Sequence, residues 1–451
     1  MNRKDRPKRS NLERIIEVEC LRLSSEGAGV GYHDGKATFV AGLLPGEIGE
    51  VQIFEEKKSW QRGSLISVQD ATVSSQRMNP PCTVYGVCGG CQLQHLSYPE
   101  TLVWKKRWVA DNLTRIGKID MDHVLMHSTI GMEDPWRYRN KGRFHRGEDH
   151  RLGYHQEKSN TIVRFTDCLL ISEPMNQWLK EIEDILLKEA PEIKTLTLRE
   201  NSQGEGMLVL EPVYEGEKIR ELLGKMNSLL ICSNKDNKLA GINSVWGINS
   251  EGKPELVIGK GDFRQEILGL EYKVSPLAFL QVNPIQTQKL YTTVLQWAER
   301  SPAKVVWDLY SGIGTITLAL AAKAQKVWGI EENSYAVEDA RVNALHNRIE
   351  NVEFIAGKVE DTFQQIDEHP DLVVLDPPRA GAHRRVLEGL IELQPKQIIY
   401  VSCDPGTLAR DLGILQSGGY QVREVLPVDM FPWTGHVECI IMMTNSGSKG
   451  K

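Results

Sequence analysis

The chain has no apolar run approaching the length needed to cross a bilayer, and its basic start, Met1 to Arg9, is followed by no apolar segment of the kind a secretory leader needs. It also lacks any excess of positive charge. With 54 Lys and Arg against 60 Asp and Glu, the net charge is −6, which excludes a uniformly basic nucleic-acid coat but leaves room for a local basic surface. Internal repeats are absent, and low-complexity sequence is confined to the polar tail after Thr444. These absences predict a cytoplasmic protein that uses no membrane and shows no sign of an obligate protein partner. In that compartment its eight cysteines are metal ligands or catalysts rather than disulfides. At 451 residues the chain exceeds one ordinary core and predicts two or three domains.

Residues 12–70 read as short strands punctuated by glycine. Ile15–Cys20, Lys36–Val40 and Glu50–Phe54 are strand-like, with Gly27, Gly29, Gly31 and the Pro45-Gly46 turn between them, a spacing that fits a small antiparallel β-barrel. Lys57, Lys58, Trp60 and Arg62 offer charge and stacking to RNA. Residues 75–270 form a second unit. Cys82, Cys88 and Cys91 stand at spacing C-x5-C-x2-C with Gly89 and Gly90 between the last two, and Cys168 is the best fourth thiolate, since Cys20 belongs to the barrel and Cys403 and Cys439 to another module. Four such ligands suit structural zinc or an iron–sulfur cluster, and spacing does not choose between them. A helix is predicted from Pro99 to Ile116, closed by Gly117. Beyond it, Pro135 to Phe165 is the most basic stretch, with Arg137, Arg139, Lys141, Arg143, Arg146, Arg151, Lys158 and Arg164 interleaved with Trp136, Tyr138, Phe144 and Tyr154. That mixture suits phosphate contact and base stacking, with a solvated strand face as the alternative.

Residues 271–445 carry the chemistry. After a predicted helix from Ile285 to Arg300, Val305 to Leu309 reads as a strand leading into the turn of Gly312, Gly314 and Thr315 and then a helix; a second strand ends in Glu331, whose carboxylate suits two ribose hydroxyls. Thr317 occupies the place of the third glycine of a dinucleotide fingerprint, so S-adenosylmethionine, which has no pyrophosphate, fits better than NAD. A buried strand ends at Asp376-Pro377-Pro378-Arg379, and another at Cys403, at a strand-to-helix corner that Asp404 can cap. Such a corner favours thiolate, and a packed core cysteine is the alternative. Glu438 enters an otherwise apolar strand, where burial raises a carboxyl toward the range of a general base. Parallel sheets open ligand sites at their carboxyl ends, which predicts one crevice for Gly312, Glu331, Asp376 and Cys403. A nucleophilic cysteine, a carboxylate base and a methyl donor together suit methylation of a pyrimidine at C5: attack at C6 makes C5 enolate-like, and a base later removes the C5 proton. The target base must be unpaired or flipped.

These motifs resemble those of the RNA uracil-5-methyltransferases, in particular the branch with an N-terminal TRAM barrel and a four-iron cluster that acts on 23S ribosomal RNA. The likeness rests on Cys82, Cys88, Cys91 and Cys168, on Tyr138-Arg139-Asn140-Lys141, Phe279-x-Gln281-Val282-Asn283, Asp376-Pro377-Pro378-Arg379, Ser402-Cys403-Asp404-Pro405 and His436-Val437-Glu438. The resemblance implies a multidomain α/β protein with an OB-like TRAM barrel, a central β-rich iron–sulfur and RNA-binding domain, and a Rossmann-like class I methyltransferase domain. It also implies S-adenosylmethionine contacts at Gln281, Tyr310, Glu331 and Asp376, Cys403 as nucleophile, Glu438 as base, a [4Fe-4S] cluster on the four cysteines, and packing of the Pro99–Ile116 helix on the catalytic module. Two alternatives keep the module but change the outcome: methylation of a uridine in a tRNA loop, and an RNA-binding or ribosome-assembly factor whose methyltransferase module is vestigial. A cytosine-5 enzyme is disfavoured, because Asp376 to Arg379 lacks the second cysteine those enzymes usually place near the site.

Overall fold

The computed structural model describes residues 14–189, 193–211 and 241–445. The basic arm before residue 10 and the stretch from Pro212 to Ala240 lie outside the described residues. The N-terminal sheet comprises β1 (Ile15–Glu19), β2 (Arg22–Leu23), β3 (Ala28–His33), β4 (Lys36–Ala41), β5 (Ile48–Glu56) and β6 (Trp60–Val68), in the order β1-β5-β6-β4-β3-β2. Apolar residues alternate inward along these strands, so that Ile16, Val18, Val40, Val51 and Ile53 form one small core. Gly29 and Gly31, expected between strands, lie inside β3: a Cβ at Gly31 would stand 2.1 Å from the carbonyl oxygen of Glu19, so the crossing strand leaves no room for a side chain.

A helix, α1 (Tyr98–Arg115), and a two-residue strand, β7 (Leu125–Met126), separate this barrel from the central sheet. That sheet is built from β8 (Lys141–Arg146), β9 (Leu152–His155), β10 (Ile162–Val163), β11 (Thr195–Glu200), β12 (Gly206–Glu211), β13 (Ile242–Ile248) and β14 (Pro254–Gly259), ordered β10-β9-β8-β11-β12-β13-β14, with α2 (Glu173–Glu189) on one face. Its core gathers Phe144, Trp178, Ile182, Leu196 and Leu208. The hairpin β15 (Arg264–Ile267) and β16 (Leu270–Lys273) follows.

The C-terminal layer alternates helix and strand: α3 (Pro284–Glu299), β17 (Val305–Leu309), α4 (Thr315–Ala321), β18 (Lys326–Glu331), α5 (Ser334–His346), β19 (Val352–Ala356), α6 (Val359–Thr362), β20 (Leu372–Leu375), α7 (Arg384–Leu393), β21 (Gln397–Ser402), α8 (Pro405–Ser417), β22 (Tyr420–Val428) and β23 (Glu438–Asn445). The sheet runs β19-β18-β17-β20-β21-β23-β22-β7. Its first five strands are parallel, and the central β17, β20 and β21 are buried on both faces, which accounts for their near-continuous apolar sequences. Strand order reverses between β17 and β20, the place where a doubly wound sheet opens a ligand crevice. β23 is antiparallel to β21, so its first residue, Glu438, lies at the carboxyl end of the parallel strands.

Two pieces from early in the chain complete this layer. β7 is its edge strand, pairing with β22. α1 packs on α8, with Val109 and Leu113 in one core with Leu408 and Leu412. Each large apolar side chain buried this way contributes roughly 1.5–3 kcal/mol. The inward stripe of α1 also holds Lys105, whose ammonium is paired with Asp429, both side chains being fully buried. Among the described residues no helix is long and apolar enough to cross a membrane.

Candidate active site

The reversal point holds a cavity of about 520 Å³. Of the residues expected to serve methyl transfer, Gln281, Tyr310, Gly312, Thr315, Glu331, Asp376, Cys403 and Glu438 all line it. Gly314 does not; it sits behind the turn as the N-cap of α4 with φ +83°, a conformation that only glycine adopts without strain. A Cβ on Gly312 would meet nothing within 4 Å, so its missing side chain leaves the cavity floor open for a ligand. The loop is held by Glu331, whose Oε2 accepts from the Gly312 amide at 3.0 Å and whose Oε1 accepts from the Asn333 amide at 2.8 Å. Thr317, the residue in place of a third glycine, donates its hydroxyl to Asp308 Oδ2 at 2.5 Å.

Cys403 follows β21 directly, and Asp404 caps α8, its Oδ1 accepting from the amides of Gly406 and Thr407, each at 2.9 Å. Those amides are therefore spent on a carboxylate rather than on the sulfur. Burial, the nearby Glu438 and, more weakly, Asp376 push the Cys403 thiol up to about 11, against the opposing pull of the nearby Arg379 guanidinium. The expectation that the helix corner alone favours thiolate is thus corrected: in the ligand-free site the thiol keeps its proton. Glu438 is 1 % exposed, and neither of its oxygens has a hydrogen-bond partner. Burial, reinforced by the charge of Asp376, holds it well above the ordinary carboxyl range, with Arg379 again opposing. Register places Ser402 opposite Cys439, which brings the Cys403 and Glu438 backbones to neighbouring positions at one end of the sheet. Phe279, two-thirds exposed, and Phe431 stand among the other residues lining the cavity.

Sequence reasoning passed over Asp308. It lies in the apolar strand β17, is fully buried, and lines the same cavity with Oδ1 unpartnered. The signal was present, a carboxylate inside an apolar strand, the same one that marked Glu438. Arg379 was likewise given no role beyond closing the Asp376-Pro377-Pro378-Arg379 motif, and the structure brings its charge to bear on the cysteine.

A second cavity, of about 160 Å³, is lined by Cys82, Cys88, Cys91 and Cys168 together with Tyr85, Arg139, Tyr154 and Phe165. Burial pushes the thiols of Cys88 and Cys168 up and that of Cys91 to about 12. Among the described residues, no three His, Cys, Asp or Glu side chains converge closely enough to grip a single metal ion. Trp433 links the two sites. Its carbonyl accepts from the amides of Gln92 and Leu93 at 2.9 and 3.0 Å, next to Cys91, and its ring stacks on Trp136 at 4.4 Å. The same loop carries Phe431 into the catalytic cavity and leads into Glu438.

The basic stretch is arranged differently from expectation. Arg137 pairs with Asp167, Arg143 with Glu211, Arg151 with Glu183 and Lys158 with Glu26. Tyr138 and Phe144 are buried, and Tyr154 stacks on Phe165 inside the sheet. Four of the eight cations thus have acidic partners from other segments, while Lys141 stands among the cations Arg199, Arg139 and Arg143.

This arrangement of a glycine turn and an acid-ended neighbouring strand, at the switch point of a sheet closed by an antiparallel hairpin, defines a class I methyltransferase fold behind an OB-like barrel. Comparison with known proteins agrees. Residues 262–446 match the family described as tRNA (Uracil-5-)-methyltransferase, and residues 9–66 match the TRAM domain. A protein of Clostridium acetobutylicum named an uncharacterized RNA methyltransferase is 38% identical, covering 95% of this chain and 96% of its own. One of Clostridium tetani with the same description is 36% identical over the whole of both chains. In fold, the chain is similar to Pyrococcus abyssi tRNA (uracil-54, C5)-methyltransferase in complex with S-adenosyl-L-homocysteine, with a TM-score of 0.71, 24% identity, and coverage of 95% of this chain and 100% of the other. The chain belongs to the RNA uracil-5-methyltransferase family, S-adenosylmethionine-dependent enzymes that methylate RNA.

Proposed function

We propose that the protein methylates C5 of a uridine in 23S ribosomal RNA, in the cytoplasm, with Cys403 as nucleophile and Glu438 as base. The observation that carries this reading is the meeting of Cys403 and the unpartnered Glu438 in one cavity. Gln281, Tyr310, Gly312, Thr315 and Glu331 are the residues that would hold the cofactor, with Asp376 beside them and Gly314 shaping the turn. When bound, S-adenosylmethionine supplies an electrophilic methyl group. Cys403 passes its proton to solvent and forms a bond to C6 of the uracil, so that C5 gains enolate character; the charge of the nearby Arg379 stabilises the thiolate. Once C5 is methylated, Glu438 takes the C5 proton and the C6–S bond breaks, which releases the product and the thiolate. Cys403 and Glu438 lie inside a cavity, so the base must be unstacked to reach them, and the exposed Phe279 among the lining residues offers a stacking partner.

We further propose a [4Fe-4S] cluster on Cys82, Cys88, Cys91 and Cys168. What supports a shared site is that the four cysteines line one cavity; the choice of a cluster over zinc follows from the resemblance alone. Anaerobically purified protein should be brown and contain iron; colourless protein with one zinc would overturn this assignment. For the reaction, RNA containing 5-fluorouridine should be trapped covalently by the wild-type protein with donor, and Cys403→Ala should abolish trapping. Glu438→Gln should accumulate the adduct with ordinary uridine. Substitution of tRNA for ribosomal RNA has one observation in its favour, the description of the matched family. Mass-spectrometric mapping of 5-methyluridine with and without the gene separates the two: loss from tRNA alone would refute the ribosomal substrate. The vestigial-module alternative predicts instead that Cys403→Ala changes no modification at all.

A further inference from the structure

The catalytic cavity is strongly acidic. Its lining carries six carboxyl groups, including Asp308, Glu331, Asp376 and Glu438, against two cations, Lys358 and Arg379. Two of the acids, Asp308 and Asp376, have no cation acting on them, and Glu438 has only Arg379. Asp308 is 1 % exposed with Oδ1 unpartnered, its other oxygen taking the Thr317 hydroxyl at 2.5 Å, and the Thr317 amide also eases its charge. Glu438 is equally buried with both oxygens unpartnered, and Asp376 lies at the end of β20, the strand paired with the β17 strand that carries Asp308. The groups facing Asp308 are Asp376, Glu331 at the end of β18, Thr317 of α4 and the buried Tyr291 of α3. None is basic. Arg379 acts on Glu438 and Cys403 instead.

We propose that Asp308 is the charge sensor of the donor site: its carboxyl is neutral when the site is empty or holds the spent thioether, and ionises when the sulfonium donor binds. The inference rests on the cavity being the S-adenosylmethionine site. Burial and the neighbouring acids push Asp308 up to about 7, and burial raises Asp376 as well, so the proton is held at neutral pH and yet can be displaced. The balance is simple. Donor binding brings one positive charge to sulfur and sends one proton from the carboxyl to solvent; methyl transfer leaves the sulfur neutral, and the carboxylate takes a proton back. The donor and S-adenosylhomocysteine differ only in that methyl group and charge, so their shared amino, carboxyl and ribose contacts cancel in a comparison. A carboxylate held ready for the sulfonium discriminates against the product and assists its release.

The test is calorimetric titration of each ligand into the full-length protein at pH 6.5 in two buffers of different ionisation enthalpy, which counts the protons exchanged. The donor should release about one proton more than S-adenosylhomocysteine, and its affinity should rise by up to about tenfold per pH unit below pH 7 and level off above, while the product's stays flat. Asp308→Asn, in which the amide oxygen can still accept from Thr317, should abolish the pH dependence and weaken donor binding at pH 8 by about tenfold or more with little effect on the product. Equal proton counts for the two ligands in the wild-type protein would overturn the sensor while leaving the donor site intact. Failure of both ligands to bind, or binding that Gly312→Trp leaves unchanged, would overturn the donor site and the sensor with it.

Discussion

Lys105→Met removes the cation from an ion pair in which neither side chain has any exposed surface. The Lys105 ammonium donates to Asp429 Oδ1 and, at 3.0 Å, to the Phe431 carbonyl, and Asp429 Oδ2 takes the Tyr98 hydroxyl at 2.8 Å. Methionine fills a similar volume, so the cost is electrostatic. Burial lowers the proton affinity of Lys105 and the Asp429 charge restores part of it, which shows how far each charge depends on the other. Breaking a buried pair from one side costs about 3–5 kcal/mol, roughly 150- to 5,000-fold in an opening equilibrium. The loop from Asp429 to Trp433 should loosen by that factor. The assay is hydrogen exchange at the amides of Gln92 and Leu93, which donate to the Trp433 carbonyl, and of Asp429, which donates to Ile130 at 2.9 Å. Exchange there should accelerate by about a hundredfold or more, with barrel amides such as Val51 unchanged. Removing both charges, Lys105→Met with Asp429→Leu, should recover most of the loss, because no unpaired charge stays buried. Acceleration below about fivefold, or a double variant as loose as the single one, would refute the reasoning.

Alkylation of Cys403 by iodoacetamide reads its protonation directly. With the thiol raised to about 11, about one molecule in a thousand is thiolate at pH 8 and the rate should climb about tenfold per pH unit up to that value. Glu438→Gln removes a charge that raises the thiol and should speed the reaction; a plateau already at pH 9 would contradict the burial argument. Gly435→Ala would place a Cβ 1.7 Å from the Ser25 carbonyl oxygen, so the barrel loop and the catalytic loop must part, and limited proteolysis between Ser24 and Gly27 should quicken. Trp433→Ala deletes the stack on Trp136 and the indole bond to the Pro135 carbonyl at 3.1 Å. It should cost about 3–5 kcal/mol of stability by thermal unfolding, and unaltered melting would show that the loop is not anchored there.

The crevice was legible in the sequence because a parallel sheet concentrates chemistry at strand ends, and the residues that matter there are near neighbours of apolar runs: Gly312 after β17, Glu331 ending β18, Asp376 after β20 and Cys403 after β21. Glu438 was legible from the cost of burying a carboxylate. Asp308 carries the same signature but stands just before a glycine turn that drew the attention. The ion pairs of Arg143, Arg151 and Lys158 with Glu211, Glu183 and Glu26 were not legible, because a local pattern says nothing about such distant pairing. For the same reason the docking of α1 on α8 could be expected only from resemblance, and the edge strand β7 was not foreseen. The thiolate expectation failed because burial and the nearby Glu438 raise the thiol, and the Gly406 and Thr407 amides go to Asp404 Oδ1.

The displaced segment of α1 and β7 bears on how the protein is made. Lys105 precedes Asp429 by 324 residues, so at about 5–20 residues per second a ribosome extrudes the apolar face of α1 roughly 16–65 s before its permanent partner exists. During that interval Trp108 can already give its indole N–H to the Leu23 carbonyl of the barrel, at 2.9 Å in the finished fold, and Trp104 and Trp108 can settle against Leu23 and Leu44. The barrel is thus positioned to shelter the helix until the last strands emerge. A fragment cut at residue 262 would be born without that helix and without its edge strand, and would expose both the α8 surface and the open side of β22.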